Sequence, residues 1–399
     1  MRARVISGES SGMRTVDRAE TARRASDVSD AVARLAPTIS ARAREFEAAR
    51  RLPEDLWAEL KDAGCLRMLL PPSHHGLGVA LPDAMRILAA LSRADASVAW
   101  TVANCAGAWF DLAGLPRATF DAVFADADVT VAGVFAPCGV AERVNGGYRV
   151  SGRWGFASGC RHADWLFGNC LEDVEGTRRM RTVVFSASEV TIEDTWTVSG
   201  LCGTGSHHFT ASEVFVPIAR TCATLEAEPC VDEPLVRIPP PPLYALAISA
   251  VALGVAQAAL DDILAVAGGR TPLLAAAPLA ANPLFQHQLA HADTDLRAAR
   301  GLVYDNASAA WAAAVDRTPF TLEQRARIRA TAAWATARAA AVVDFAYLAG
   351  GGSALYTTNP LQRRMRDIHA LTQHFIVKPD TMTTVGAVLA GQDIDLPVF

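Results

Sequence analysis

The chain reads as an α+β protein, helical at both ends and strand-rich in the middle. Apolar residues recur at three- and four-residue spacing from about Thr21 to Asp128, the period of an amphipathic helix. Between about Val129 and Leu225 the period drops to two, the spacing of a half-buried strand. Helical spacing returns from Leu243 and continues to about Gly391. The strands are thus grouped rather than alternating with helices, and no Gly-x-Gly-x-x-Gly is present, so a dinucleotide-binding sheet is not predicted.

Taken in order, residues 1–20 are polar and Arg-containing without an apolar signal-peptide core, and are expected to form a disordered leader. An N-terminal helical domain is expected over 21–128, with Ala31-Val32-Ala33-Arg34-Leu35 and Leu56-Trp57-Ala58-Glu59-Leu60 as clear helical runs. Pro53 suits a first helical turn, and Pro71-Pro72 and Gly76-Leu77-Gly78 break the pattern. A β domain is expected over 129–230. Asn145-Gly146-Gly147 before Tyr148-Arg149-Val150-Ser151-Gly152-Arg153-Trp154 is a hairpin signal, and Arg181–Phe185 and Glu213–Pro217 are further strands. Residues 231–242, ending in Pro239 to Pro242, read as a linker, and 243–399 as a C-terminal helical domain. Leu243 to Leu260 is uncharged, but it is Ala-rich, contains Gln257 and is followed by Asp261-Asp262; a buried bundle helix is expected rather than a membrane span.

The chain has 399 residues, 51% hydrophobic and 20% charged, which suits a large globular core. A net charge of -5 without a basic face argues against a nucleic-acid partner. Eight cysteines without a Cys-x-x-Cys pair argue against zinc or iron–sulfur sites and point to reduced thiols in a cytoplasm.

Four segments carry chemistry. Arg153-Trp154-Gly155-Phe156-Ala157-Ser158-Gly159-Cys160 ends a strand in a small hydroxyl residue and a glycine, on its own a turn. Thr195-Trp196-Thr197-Val198-Ser199-Gly200-Leu201-Cys202-Gly203-Thr204-Gly205-Ser206 has glycines that permit close backbone approach to a ligand. The following His207-His208 pair, on consecutive strand positions, points to opposite faces and is poor for chelation. Arg270, in Gly269-Arg270-Thr271, is either a helix-end arginine or a phosphate ligand. After Gly350-Gly351-Gly352, the run Pro360-Leu361-Gln362-Arg363-Arg364-Met365-Arg366-Asp367-Ile368-His369-Ala370-Leu371-Thr372-Gln373-His374 opens a helix; its arginines are expected to face solvent or an oligomer interface.

Together these segments resemble the acyl-CoA dehydrogenase superfamily over about Thr21 to Gln392. One departure matters most. Many acyl-CoA dehydrogenases carry a catalytic Glu shortly after the Arg-Asp, where this chain reads Gln373-His374-Phe375-Ile376. A carboxylate base is needed to deprotonate the carbon alpha to a thioester. The chain therefore resembles the flavin-dependent monooxygenase branch, two-component oxygenases similar to p-hydroxyphenylacetate, seco-steroid phenol and dibenzothiophene monooxygenases. The resemblance implies an N-terminal helical domain, a middle β-barrel-like domain and a C-terminal four-helix bundle, assembled as a homotetramer.

It further implies a reduced FMN or FAD delivered by a separate NAD(P)H:flavin reductase, with O2 as co-substrate and a flavin C4a-hydroperoxide as oxidant of an aromatic or polycyclic small molecule. Ser158 would bond flavin N5, and His374 would face the flavin C4a edge, deprotonating a phenol or bonding the distal oxygen. His369, five residues earlier, ranks second and falls about 140° away if both lie on one helix. Phe156 and Trp196 would lie against the flavin, and Arg270 would reach the flavin phosphate of a neighbouring subunit, although Pro272-Leu273 depart from the family form. Trp100, Asn104, Trp109 and Phe110 would line the substrate pocket, unless the helix simply packs through its small residues. An N-oxygenase of an amine or amino sugar is the alternative on this scaffold. An acyl-CoA dehydrogenase with its base on an earlier helix is disfavoured because Leu243 to Leu260 offers no Glu, and a flavin-binding protein without turnover is the reading from another class.

Overall fold

Five helices, a mixed sheet and five further helices follow one another along residues 18–394, which the computed structural model describes. Residues 1–17 of the expected leader lie outside the described residues, and 18–20 already belong to helix α1 (Arg18–Ala49). Then come α2 (Glu54–Asp62), α3 (Leu81–Ala94), α4 (Ala96–Leu112) and α5 (Arg117–Val123). Pro53 is the N-cap residue of α2, and Pro72 opens a short 3-10 turn where the helical pattern breaks.

The middle domain is one seven-stranded sheet: β1 (Val131–Val144), β2 (Gly147–Trp154), β3 (Trp165–Val174), β4 (Thr177–Ser186), β5 (Thr191–Glu193), β6 (His208–Pro217) and β7 (Thr221–Ala223). The order is β5-β6-β2-β1-β3-β4-β7. The barrel-like expectation is corrected: β5 and β7 stand at opposite edges, three residues each, and the sheet stays open. The hairpin is where the sequence places it, Val144 pairing with Gly147 around Asn145-Gly146, with Gly146 at φ 80° as a tight hairpin turn requires. Trp154 ends β2 fully buried, stacked on Phe209 at 4.8 Å, its Nε1 donating to the Asn169 carbonyl at 2.8 Å.

The C-terminal bundle is α6 (Pro240–Ala267), α7 (Pro283–Val315), α8 (Leu322–Gly350) and α9 (Pro360–Thr372), with α10 (Asp380–Leu389) against α8. Of the stretch read as a linker, Pro234–Arg237 forms a 3-10 turn and Pro240 to Pro242 make the first turn of α6, where a missing N–H costs nothing. Helix α6 is long and apolar enough to cross a membrane, yet 83% of its most apolar window is buried within the protein. It packs on α8 and on α3, and Ser92 of α3 donates to the Val251 carbonyl at 2.7 Å.

The arginine-rich start of α9 does not face solvent as expected. Arg363, Arg364 and Asp367 are buried. Arg364 bridges Asp262 of α6 (3.4 Å) and the Ala94 carbonyl at the end of α3 (3.2 Å). Arg363 lies 3.9 Å from Asp95, whose carboxylate caps α4 by accepting from Ser97 and Val98 N–H. Asp367 accepts the Leu201 N–H at 2.7 Å and so ties α9 to the β domain. Arg366 completes the seam with Glu47 of α1 and the Ser199 carbonyl. The reason is compensation: a buried guanidinium is tolerated when carboxylates and carbonyls surround it.

Close approach of α6 to α3 depends on Gly254, where a Cβ would fall 2.3 Å from the Ala89 carbonyl oxygen and 2.6 Å from Ser92 Cβ. Gly254→Ala is expected to destabilise the fold by about 3 kcal/mol in urea unfolding, because backbone must move. Gly301→Ala, in α7 with no atom within 4 Å of the added Cβ, is expected to be neutral or to stabilise by up to about 1 kcal/mol. Equal effects at the two glycines would count against the packing argument.

Candidate active site

Two loops of the β domain are laced together. After β2, residues 155–159 turn back on themselves, with Phe156 at φ 67° and Gly159 at φ 75°. Ala157 N–H donates to the His207 carbonyl (3.1 Å) and Gly159 N–H to the Thr204 carbonyl (3.1 Å). The first two candidate segments therefore lie side by side. Between them runs a chain of hydroxyls: Thr204 Oγ1 donates to the Leu201 carbonyl (2.8 Å), Thr204 and Ser206 are 2.7 Å apart, and Ser206 and Ser158 are 2.8 Å apart.

Each hydroxyl has one proton, so the order of donation is determined. Thr204 spends its proton on Leu201, so Ser206 donates to Thr204 and Ser158 donates to Ser206. Trp100 of α4 donates its Nε1–H to Ser158 Oγ at 3.0 Å. One lone pair of the Ser158 oxygen remains as an acceptor.

His374 reaches the same place from the C-terminal domain. Its ring lies edge-on to Trp100 at 5.6 Å and stacks on Phe375 at 5.0 Å. It is not on α9, which stops at Thr372; it caps the 3-10 turn Phe375–Val377. The helical phase between His369 and His374 therefore does not apply. The His374 Nδ1 accepts the Ile376 N–H at 3.3 Å, which leaves the ring proton on Nε2. Burial, with Arg329 of α8 adding its charge, pushes His374 down to about 4, so the ring is neutral through the physiological range.

Phe156 is 73% exposed and meets the Trp196 ring edge-on at 5.9 Å. Trp196 is held by an Nε1 bond to the Leu201 carbonyl (3.1 Å) and by its own N–H, which with that of Thr195 donates to His207 Nδ1, both at 3.2 Å. His207 is buried and braces this loop, whereas His208 turns toward Phe156, so the pair does point apart. The edge where these loops meet Trp100 and His374 is the mouth of the candidate site, and it carries an acceptor oxygen, two aromatic rings and a neutral imidazole.

The other expected residues disperse. His369 pairs with Asp344 of α8 at 2.8 Å, half-exposed. Arg270 donates to the Ala349 carbonyl at 3.3 Å, beside Gly351. That end of α8 lies about 30 Å along the helix from Arg329, so within one chain Arg270 is remote from His374. Asn104 is exposed, its amide donating to the Trp100 carbonyl at 2.7 Å. Phe110 is half-buried, edge-on to Tyr244 at 6.2 Å. Trp109 is buried against Phe120, on the opposite side of α4 from Trp100, because nine residues at about 100° each carry it half a turn away. Sequence reasoning passed over the Thr204–Ser206 hydroxyl chain, although its spacing was visible in the segment it singled out. Arg329 gave no signal, since its role depends on a loop packed 47 residues away.

Known proteins give the class. Residues 24–114 match the acyl-CoA dehydrogenase N-terminal domain and residues 246–379 the acyl-CoA dehydrogenase C-terminal domain. The chain belongs to the acyl-CoA dehydrogenase superfamily and, within it, to the flavin-dependent monooxygenases. It is 32% identical to indole-3-acetate monooxygenase of Pseudomonas putida, over 88% of this chain and 90% of that protein. It is 31% identical to the oxygenase subunit HsaA of a flavin-dependent monooxygenase of Rhodococcus jostii, over 87% and 93%. The solved structure of XiaF from Streptomyces sp., in complex with FADH2 and glycerol, superposes with a TM-score of 0.89 at 26% identity, covering 96% of this chain and 99% of that one.

The His374 ring sets a pH expectation. An unfolded histidine protonates near pH 6.5, the folded one only near 4. The native state thus loses stability relative to the unfolded chain as pH falls from 6.5 toward 4, and none above. In two-dimensional 15N NMR the His374 ring signals are expected to stay at the neutral Nε2–H positions from pH 8 to 5.5; a midpoint near 6.5 would contradict the assignment.

Proposed function

We propose that this protein is the oxygenase component of a two-component system that hydroxylates an aromatic small molecule, with reduced FMN or FAD supplied by a separate reductase. The observation that carries the reading is the meeting of Trp100, Ser158 and His374, one group from each domain, at the mouth framed by Phe156 and Trp196. Bound reduced flavin would supply the two electrons that activate O2, one atom of which enters the substrate while the other leaves as water. The chain's own groups supply the rest.

The free acceptor lone pair of Ser158 suits an N–H donor, which reduced flavin carries at N5; Trp100 and Ser206 hold the hydroxyl so that its proton points away. Neutral His374 offers Nε2–H as a donor to the reacting oxygen or to the substrate, and at about 4 it is too weak a base to deprotonate a phenol. Its stacking on Phe375 and edge contact with Trp100 limit water around that donor. An aromatic substrate agrees with the names of the similar proteins, one of which acts on indole-3-acetate. Arg270 would serve a flavin phosphate only across a subunit boundary, and the exposed Leu273, Leu274, Leu355 and Tyr356 nearby suit a homotetramer.

The test is to mix anaerobic protein and reduced flavin with O2 and a panel of phenols and indoles, then measure product and released hydrogen peroxide per flavin oxidised. His374→Ala is expected to retain flavin binding and to lower product per flavin by about tenfold, with peroxide rising to match. Ser158→Ala is expected to speed flavin reoxidation without product. No oxygenated product from any panel member would sink the reading; unchanged coupling in both variants would remove the two residues from it.

A further inference from the structure

Helix α4 has one unpacked stripe. Residues 100, 103, 104, 107, 110 and 111 keep solvent contact, while 101, 102, 105, 106, 108, 109 and 112 are buried. Steps of three and four make this a single face, and Asp111 falls within about 20° of Trp100. At its middle, a Cβ on Gly107 would meet no atom within 4 Å. The stripe thus borders open space that starts at the flavin mouth and ends at Asp111.

The far end is built from three elements. Tyr244 of α6 donates its hydroxyl to Asp111 Oδ1 at 2.6 Å. The Tyr244 ring is edge-on to Phe110 at 6.2 Å and to Phe135 of β1 at 6.5 Å. Asp111 and Tyr244 keep some solvent contact although protein crowds them on all sides, as wall residues of a concavity do. The carboxyl has no cationic neighbour and no second hydrogen bond among the described residues. A carboxyl with an unused oxygen, walled by aromatic rings, has a use only when a donor arrives.

We propose that Asp111 and Tyr244 anchor the end of the substrate remote from the oxygenated carbon, and that the substrate is an aromatic molecule of two or three fused rings carrying an O–H or N–H donor at that end. The inference rests on the oxygenase reading for which end reacts. Eleven residue steps, about 16 Å of helix, separate Trp100 from Asp111, so the open stripe is longer than a single ring and leaves room for a fused-ring substrate between the anchor and the reacting end. The donor follows from the carboxyl: in its ionised form, which prevails above about pH 7, it accepts hydrogen bonds and repels a second carboxylate, so the comparison of ligands belongs at pH 8. Burial pushes Asp111 up to about 7, so a donor that stabilises the ionised form is bound at little electrostatic cost near neutrality.

Three probes on one ring system separate these features: 2-naphthol, 2-methoxynaphthalene and 2-naphthoic acid. Dissociation constants are read from tryptophan quenching in the flavin-loaded protein. The naphthol is expected to bind about tenfold tighter than the ether and the acid. In Asp111→Ala that ratio is expected to fall to about one with flavin binding unchanged, and in Tyr244→Phe, which keeps the ring and the fold, to fall in the same direction. Gly107→Leu, which fills the middle of the stripe, is expected to weaken all three alike. An equal ratio in wild type and Asp111→Ala overturns the anchor; should that variant not fold, an unchanged ratio in Tyr244→Phe does so. Oxygenated product without any naphthol preference sinks the anchor and spares the oxygenase reading. A preference that Asp111→Ala abolishes, with no product from any probe, does the reverse.

Discussion

Everything at the site is registered by one cluster of charge, buried Asp95, Arg363, Arg364 and Asp367 with half-buried Asp262. Burial pushes the carboxyls of Asp95, Asp262 and Asp367 up, against the pull of the arginines. Such a cluster adds little net stability, since desolvation offsets attraction. Its effect is geometric, because any other docking of the domains would strand a charge. Asp95 starts the helix that carries Trp100, Asp367 holds the Leu201 loop whose hydroxyls orient Ser158, and His374 follows seven residues after Asp367. The three site groups inherit their alignment from these few contacts.

The two levels of the site differ in kind. Ser158 is oriented by a proton chain that ends on a backbone carbonyl, so its direction is a property of the fold and not of the ligand. His374 is oriented by a backbone N–H at Nδ1 and kept neutral by burial. Both arrangements hold protons at stated atoms before a ligand arrives, which is the low-reorganisation condition for catalysis in a dry site.

Most of the fold was legible in the sequence. The shifts of period from helix to strand and back marked the three regions, and Asn145-Gly146 marked the hairpin, because both are local properties of the chain. Ser158 and His374 were singled out, and the structure brings them to a common partner in Trp100. What was not legible is long-range. Arg363 and Arg364 read as surface charge until Asp95 and Asp262, far away in sequence, are seen to face them. Trp109 reads as a pocket residue from its neighbourhood and as core once helical phase is applied. Sheet closure depends on whether β5 and β7 meet, which no strand announces by itself.

The junction position of the mouth has a thermodynamic corollary. Trp100, Ser158 and His374 are separated by 58 and 216 positions, so no autonomous fragment contains the complete ligand-binding surface. A ligand there binds only chains in which all three regions have docked, and mass action then stabilises that state as a unit. If flavin occupies the mouth as proposed, its occupancy would report on the cooperativity of the whole polypeptide, and a destabilising substitution anywhere along the charged seam would be felt first as weakened flavin retention.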